Sequence, residues 1–449
     1  MDFCEQIKDA GIVGMGGAGF PIHVKLNTKQ EYFIINAAEC EPLIEVDKFL
    51  CRNYADMIID GALLAGKHLE AKHIVIALKE KYVKEIDALN KAIAKRKANI
   101  EIFKMGYFFP AGDEQTMVQQ VTGRVIPERG LPSDVGCVVD NVGTVLYIHL
   151  ASKGKKTTQK LFSIVGEVEK PIIECAPIGT KVRECIDAAN PTIKDYGVIL
   201  GGPMMGKCLT SDTEINDAVV TKTFGNVIVL PKDHYLFTRN KKTIETIKRE
   251  SKSACIQCKM CSDLCPRNLI GHNIRPHKVM RNLSLIDTIN DDKSFVEAFG
   301  EAQNCCSCNL CEMYSCPMGL SPRRVNDYLK GELNKRNIKV DRDLNPNVSS
   351  AVNIRKVPTN RLAARLGLYK YYGQGADDLI YIKPKEVFIP FSQHIGKPAV
   401  CVKKVGDKIS AGDLLAKADG GLSTNIHSSV TGKVIEINDR GAKISCKGE

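Results

Sequence analysis

Eight of the chain's 18 cysteines fall into two tight groups. Cys255, Cys258, Cys261 and Cys265 are spaced by two, two and three residues and followed by Pro266. Cys305, Cys308, Cys311 and Cys316 are spaced by two, two and four and followed by Pro317. Three thiolates two residues apart on a tight loop can wrap three corners of a [4Fe–4S] cubane, and a fourth close behind completes the set. Structural zinc sites instead pair two short halves separated by a dozen or more residues. The spacing therefore points to two [4Fe–4S] clusters. Where two such runs share a domain, the chain after the third ligand carries the fourth across to the other cluster. The expected sets are crossed: Cys255, Cys258, Cys261 and Cys316 on one cluster, and Cys305, Cys308, Cys311 and Cys265 on the other. Cys306 breaks the spacing and is read as a bystander.

The second segment able to do chemistry is Gly11–Pro21, GIVGMGGAGFP. Its glycines leave backbone N–H groups bare and let a flat or anionic ligand approach closely, with a tight structural turn as the alternative. A dinucleotide-binding reading finds an acid, Glu39, after the strand-like Tyr32–Ala37. Residues 2–10 do not read as a buried strand, however, and Phe20-Pro21 stands where a helix should open. A phosphate-bearing cofactor is the expectation that survives. No G-x-S-x-G or comparable array is present, so no catalytic acid, base or nucleophile is assigned.

These residues must be positioned by a sizeable scaffold. A chain of 449 residues divides into about three folded units, and 44% hydrophobic residues with 26% charged exclude wholesale disorder. No apolar run is long enough to span a membrane, and the opening MDFCEQIKDAG lacks a signal-peptide pattern. The expectation is a soluble protein in a reducing compartment, where cysteine serves metals or redox chemistry. The net charge of +11 and the absence of tryptophan argue against a nucleic-acid binder. Residues 331–370 supply +6 of that charge, through nine Lys or Arg against three acids. That segment reads first as a solvated connector face and second as a docking surface for an acidic partner.

Four ordered motifs, GIVGMGGAGFPIHVKL, NAAECEP (36–42), FPAGDEQ (109–115) and VVDNVGT (138–144), resemble the FMN-binding subunit of respiratory complex I and the C subunit of Rnf complexes. Residues 162–230 resemble the ubiquitin-like SLBB domain of those proteins, and the likeness continues through both cysteine groups. A lipoyl-like pattern, VGDKISAG (405–412) and SVTGKV (429–434), comes last here rather than first as in Rnf C subunits. That order, with CPRNLIGH and CPMGLSPRRVN, resembles the cobalamin-reducing branch of the family found with propanediol-utilisation microcompartments.

The resemblance implies a multidomain α/β protein. Its units are a complex I-like α/β flavin domain at 1–150, binding FMN and NADH, and an SLBB β-grasp domain at 155–232. A helical ferredoxin-like dicluster domain follows at 245–332, then a basic connector at 333–382 and an all-β barrel-sandwich hybrid at 383–449. The periodicity adds helices near 53–70 and 82–97 and strands at 32–37, 73–78, 137–140, 161–175 and 197–200. Carried over by motif, Gly14, Gly16, Gly17 and Gly19 would cradle the flavin, with Lys25 near its phosphate. Asn36, Glu39, Gly112, Asp113, Asn141 and Thr144 would surround it, and Glu41 and Phe20 would meet the nicotinamide nucleotide. Ala38 and Thr28 depart from the family pattern on the NADH side. The sandwich tip (418–424) has no lysine to modify, and Lys417 lies before it in the strand. His394 and His427 are weak candidates for metal or corrin contacts.

The implied activity is electron relay from NADH through FMN and two [4Fe–4S] clusters to a corrinoid. A cobalamin adenosyltransferase and a microcompartment shell protein are the implied partners, without nucleic acid or membrane span, in the cytoplasm, within or attached to a microcompartment. The alternative is an Rnf C-like subunit linking NADH and ferredoxin, or one feeding an amino-acid reductase.

Overall fold

The computed structural model describes residues 2–446. Met1, heading the expected flavin unit, and residues 447–449, ending the expected sandwich, lie outside the described residues.

In the first unit the helices are α1 (Phe3–Asp9), the single turn α2 (Ile22–Lys25), α3 (Val46–Asn53), α4 (Ala55–Leu69), α5 (Val83–Arg96), α6 (Glu114–Thr122) and α7 (Val142–Ser152). The strands are β1 (Tyr32–Asn36), β2 (His73–Lys79), β3 (Glu101–Met105), β4 (Phe108–Phe109) and β5 (Cys137–Asn141). Continuous apolar runs such as YFIIN and CVVD suit strands covered on both faces, and they pair as an all-parallel sheet in the order β3-β2-β1-β5. The chain steps outward from β1 to β3, then returns to lay β5 on the other side of β1. Strand order reverses between β1 and β5, and the crevice beyond the carboxyl ends at such a reversal is where open α/β sheets hold ligands. Asn36 and Asn141 are register partners at those two ends. Behind them α4 meets α7 so closely that a Cβ on Gly61 would collide with the Val145 carbonyl. Helices α3, α6 and α7, not anticipated from the periodicity, all lie in this unit.

A mixed sheet follows, built from β6 (Gln159–Gly166), β7 (Ile172–Pro177), β8 (Tyr196–Leu200), β9 (Lys207–Leu209) and β10 (Asn226–Pro231) around the helix α8 (Val182–Ala188). The connector does more than connect. It pairs β11 (Val357–Pro358) with β4 and adds β12 (Leu379–Tyr381) alongside β7, giving the order β12-β7-β6-β10-β8-β9. An edge strand with unpaired N–H and C=O groups gains from such cover, and two- or three-residue strands leave no readable alternation in a sequence.

Helices at 244–254, 276–282, 292–299 and 322–335 carry the two cysteine groups around a core of Ile247, Val279, Phe295, Phe299, Val325 and Leu329. Residues 386–446 form two small antiparallel sheets closed over Val387, Ile389, Leu415, Val434 and Ile444. Among the described residues no helix is long and apolar enough to cross a membrane.

Three units meet at one buried cation. Lys222, in the loop before β10, donates to the carbonyl of Gly11 at 2.7 Å and to that of Asn425 at 2.7 Å, tying the glycine loop to the terminal sandwich. Burial pushes its ammonium down to about 7. Lys222→Met should strand both carbonyls at a cost of about 2 kcal/mol, read as a lower thermal midpoint and faster proteolysis near residue 383. The unfolded lysine keeps its proton to about pH 10.4, so between 7 and that value the unfolded state binds the extra proton and wild-type stability rises with pH. The Met variant should lose that part of the slope.

Candidate cofactor sites

The glycine loop is a closed turn, with the N–H of Gly14 bonded to the Phe20 carbonyl at 2.8 Å and that of Gly19 to the Gly14 carbonyl at 3.3 Å. It lies over the start of α7, where Met15 N–H donates to Thr144 Oγ1 at 3.0 Å and the Gly143 N–H is capped by Asn141 Oδ1 at 2.8 Å. Gly16 packs closely here: a Cβ there would come 3.3 Å from that of Asn141, which would have to give by a few tenths of an ångström. Gly17 holds φ +110°, and a Cβ on it would meet nothing within 4 Å. The loop thus presents exposed backbone at Gly16–Ala18 to open space beside a helix N-terminus, which suits a phosphate-bearing flavin. From behind, Gly19 is held by the terminal sandwich: its carbonyl takes the Ile395 N–H at 3.0 Å.

Asn36 reaches across the crevice to the Gly112 carbonyl at 2.9 Å, and a Cβ on Gly112 would lie 2.8 Å from that of Cys40. Asn141, Gly112, Asn36 and Thr144 therefore line one end of the sheet. Other members face elsewhere. Lys25 is paired with Glu114 at 2.7 Å and Asp140 at 3.4 Å and bonds the Val139 carbonyl. Glu39 turns inward at φ +42°, accepting the Asp47 N–H at 2.7 Å while its carbonyl takes Lys79 Nζ at 2.8 Å. Burial, then Asp47, pushes its carboxyl well above the usual range. Glu41 is roofed by the 201–206 turn: it accepts the Met204 N–H at 2.6 Å, and burial raises it to about 7. Ala38 is buried and Phe20 half-buried.

Two residues absent from the sequence expectations join this floor. Asp47 accepts from Asn141 Nδ2 at 2.8 Å, and burial raises it to about 6. Lys160, on β6, donates to the Met15 carbonyl at 3.3 Å, and burial lowers it to about 8. Each is one charge inside an unremarkable run, so only the fold distinguishes it.

The cysteines assemble in the crossed sets. Cys255, Cys258, Cys261 and Cys316 line one pocket, together with Gln257, Lys259, His277 and Met318. Burial, then Cys316, Cys255 and Cys258, raises the Cys261 thiol to about 12, as four thiols around one space must. Cys265 has Cys305 and Cys306 beside it, while Cys311 faces Cys305 and Cys265. Left-handed backbone at Gln257, Lys259, Ser307 and Asn309 (φ +56°, +64°, +55° and +69°) curls each loop around its thiols. Among the described residues no three His, Cys, Asp or Glu are placed to hold a single metal ion. Donor sets of four thiols spread around a space fit cubanes. Cys306 lies against the second set, beside Cys308 and Arg267.

Arg267, two residues past Cys265, is the link between the sites. Its guanidinium makes a two-pronged pair with Asp113 at 2.5 and 2.8 Å, both side chains largely buried, and Asp113 caps α6 through the Thr116 N–H at 3.0 Å. Burial alone would raise the Asp113 carboxyl, but the guanidinium holds it below the usual range. On the other flank Asn309 Nδ2, inside the second cysteine loop, donates to the Met204 carbonyl at 2.8 Å. His394 bonds the Lys397 carbonyl at 2.9 Å, and His427 is buried at the Lys222 junction.

Comparisons with known proteins agree in order along the chain. Residues 7–150 match the Nuo51 FMN-binding domain, 254–321 a 4Fe-4S dicluster domain and 378–447 the RnfC barrel sandwich hybrid domain. Cobalamin reductase PduS of Salmonella typhimurium is 38% identical over 98% of this chain and 95% of its own, and that of Citrobacter freundii 37% over the same shares. The C subunit of the Vibrio cholerae ion-translocating oxidoreductase complex is 33% identical over 61% of this chain and 34% of its own. Among solved structures, an H2-reduced NAD+-reducing [NiFe]-hydrogenase shares the fold, with TM-score 0.50 and 19% identity over 76% of this chain and 62% of that one.

Removing either partner of the Arg267–Asp113 pair leaves a buried charge alone, so Arg267→Met or Asp113→Leu should each cost roughly 3 kcal/mol. The double variant should cost clearly less than the two together when unfolding midpoints are compared. Because the folded Asp113 pKa is depressed, the pair's contribution should be present above about pH 4 and lost as pH falls through the folded value.

Proposed function

Given that this chain belongs to the PduS cobalamin reductase family, we propose that it passes electrons from NADH to a corrinoid through one FMN and two [4Fe–4S] clusters. It is a flavin and iron–sulfur electron-transfer oxidoreductase. The observation that carries the proposal is the Arg267–Asp113 pair, which fastens the second cysteine set to the loop that closes the flavin crevice. Bound in these sites, a flavin would supply the exchange between two-electron donors and the one-electron clusters.

The protein's own part is to hold and space these groups. Gly16–Ala18 and the start of α7 would take the flavin phosphate, while Asn36, Gly112 and Asn141 frame the ring. Cys305, Cys308, Cys311 and Cys265 would hold the cluster nearer the flavin. Cys255, Cys258, Cys261 and Cys316 would hold the outer one, since Cys258 is exposed whereas Cys265 and Cys311 are buried. For NADH, Glu41 would have to leave the Met204 N–H and the 201–206 turn shift, so nucleotide entry requires motion there. The mixed sheet of residues 159–231 is the SLBB unit of this reading, and the cytoplasm, in or on a microcompartment, its setting. An adenosyltransferase and a shell protein are the partners it implies.

Anaerobic reconstitution should give about eight iron and eight sulfide per chain; a value near four would remove one cysteine set. Gly17→Val, placing a branched side chain in the open space at φ +110°, should keep its iron and lose its flavin. With NADH, the holoprotein should reduce cob(III)alamin, and cob(II)alamin when an adenosyltransferase traps the product. Ready reduction of ferredoxin with corrinoids untouched would favour the Rnf C-like reading.

A further inference from the structure

The outer cysteine cavity opens on a surface with a distinct make-up. Ile256 and Met318, in its lining, stand 60% and 46% exposed beside the exposed Cys258, and Met260, next in the chain to Lys259, is 42% exposed. Basic groups ring these apolar side chains. Lys259 lines the cavity, and His277, also in its wall, has Lys259, Lys278, Arg275 and Arg281 around it. From the connector, Arg365 donates to the Cys316 carbonyl at 3.4 Å.

The acids nearby are already engaged. Asp287 pairs with Lys252 at 2.9 Å, Glu301 with Arg275, and Asp263 lies 4.0 Å from Arg355. Among the described residues Lys259, Lys278, Arg281 and Arg365 have no acidic partner. The rim is therefore positive outward, around an apolar centre, which is the make-up of a transient docking face that steers an oppositely charged partner.

Resting on the electron-relay reading above, we propose that this face docks an acidic redox protein, whose Asp and Glu side chains meet Lys259, Lys278, Arg281 and Arg365 and whose acceptor is brought against the outer cysteine set. Part of the positive excess at 331–370, in the form of Arg365, serves that face.

The probe is an oxidised acidic two-[4Fe–4S] ferredoxin, with binding to the reconstituted full-length protein measured by surface plasmon resonance at low salt and at high salt. Lys278→Glu with Arg281→Glu should weaken binding at least tenfold at low salt, and high salt should weaken the wild type similarly. Lys84→Glu, on α5 far along the chain, should leave affinity unchanged, and dye reduction from the flavin should be the same in all three proteins. Absence of wild-type binding, or affinity indifferent to salt or to the double reversal while iron content is intact, overturns the docking proposal. Wild-type protein that assembles no iron instead overturns the relay reading, so the two failures are separable.

Discussion

A charge removed from water must find its opposite, and Arg267 with Asp113 is where this protein meets that requirement between its two redox-type units. The guanidinium comes from the residue after Cys265-Pro266, so its position is fixed by the cysteine loop. The carboxylate caps α6, so its position is fixed by the parallel sheet. Neither unit can rotate on the other without exposing an unpaired buried charge, which is costlier than losing a surface ion pair. Neighbouring bonds share the same interface: Arg129 to Asn304 at 2.6 Å, and His272 to the Ile126 carbonyl at 2.9 Å. The spacing between the crevice and the second cysteine set follows from this interface.

The cysteine spacing was legible without any structure, because it follows from how far a chain of two or three residues can reach. Three of the four strands of the parallel sheet were legible too, since runs such as YFIIN and HIVIALK are apolar on both faces, whereas the half-polar EIFKM of β3 was not. What escaped were interactions between distant segments. Lys25 reads as a cation available to a phosphate, yet the fold spends it on Glu114 and Asp140. Glu41 reads as open to a nucleotide, yet a turn far along the chain, where a Cβ on Gly202 would collide with its carboxylate, closes over it. Lys160, Asp47 and Lys222 look like ordinary surface charges in sequence, yet all three are buried in the fold, Lys222 where three units meet. Alternation and spacing report on local geometry; these positions are set by pairings of high sequence separation.

The terminal sandwich illustrates why its place at the end of the chain matters. Its 393–395 loop lies on Gly19, and its Asn425 shares Lys222 with Gly11. Sandwich and glycine loop are therefore parts of one assembly, so the rigidity of the exposed Gly16–Ala18 backbone depends on residues far away in the sequence. A flexible glycine run loses much entropy on ordering, and being clamped from behind reduces what a ligand must then supply.

Burial also gives the molecule a direction. One cysteine set is enclosed among Arg267, Leu310 and the flavin-side loop, the other opens at Cys258 onto solvent. Cys311 of the inner set lies close enough to Cys261 of the outer for their charges to interact, so the two sets adjoin. Clusters held there would differ in surroundings: the inner near a fixed guanidinium and out of water, the outer beside lysines whose field solvent screens. Cluster potentials respond to net charge, hydrogen bonding and solvent exposure, so two sets of identical ligands on one chain need not behave alike. The protein distinguishes them by where it places Arg267 and where it leaves Cys258 uncovered.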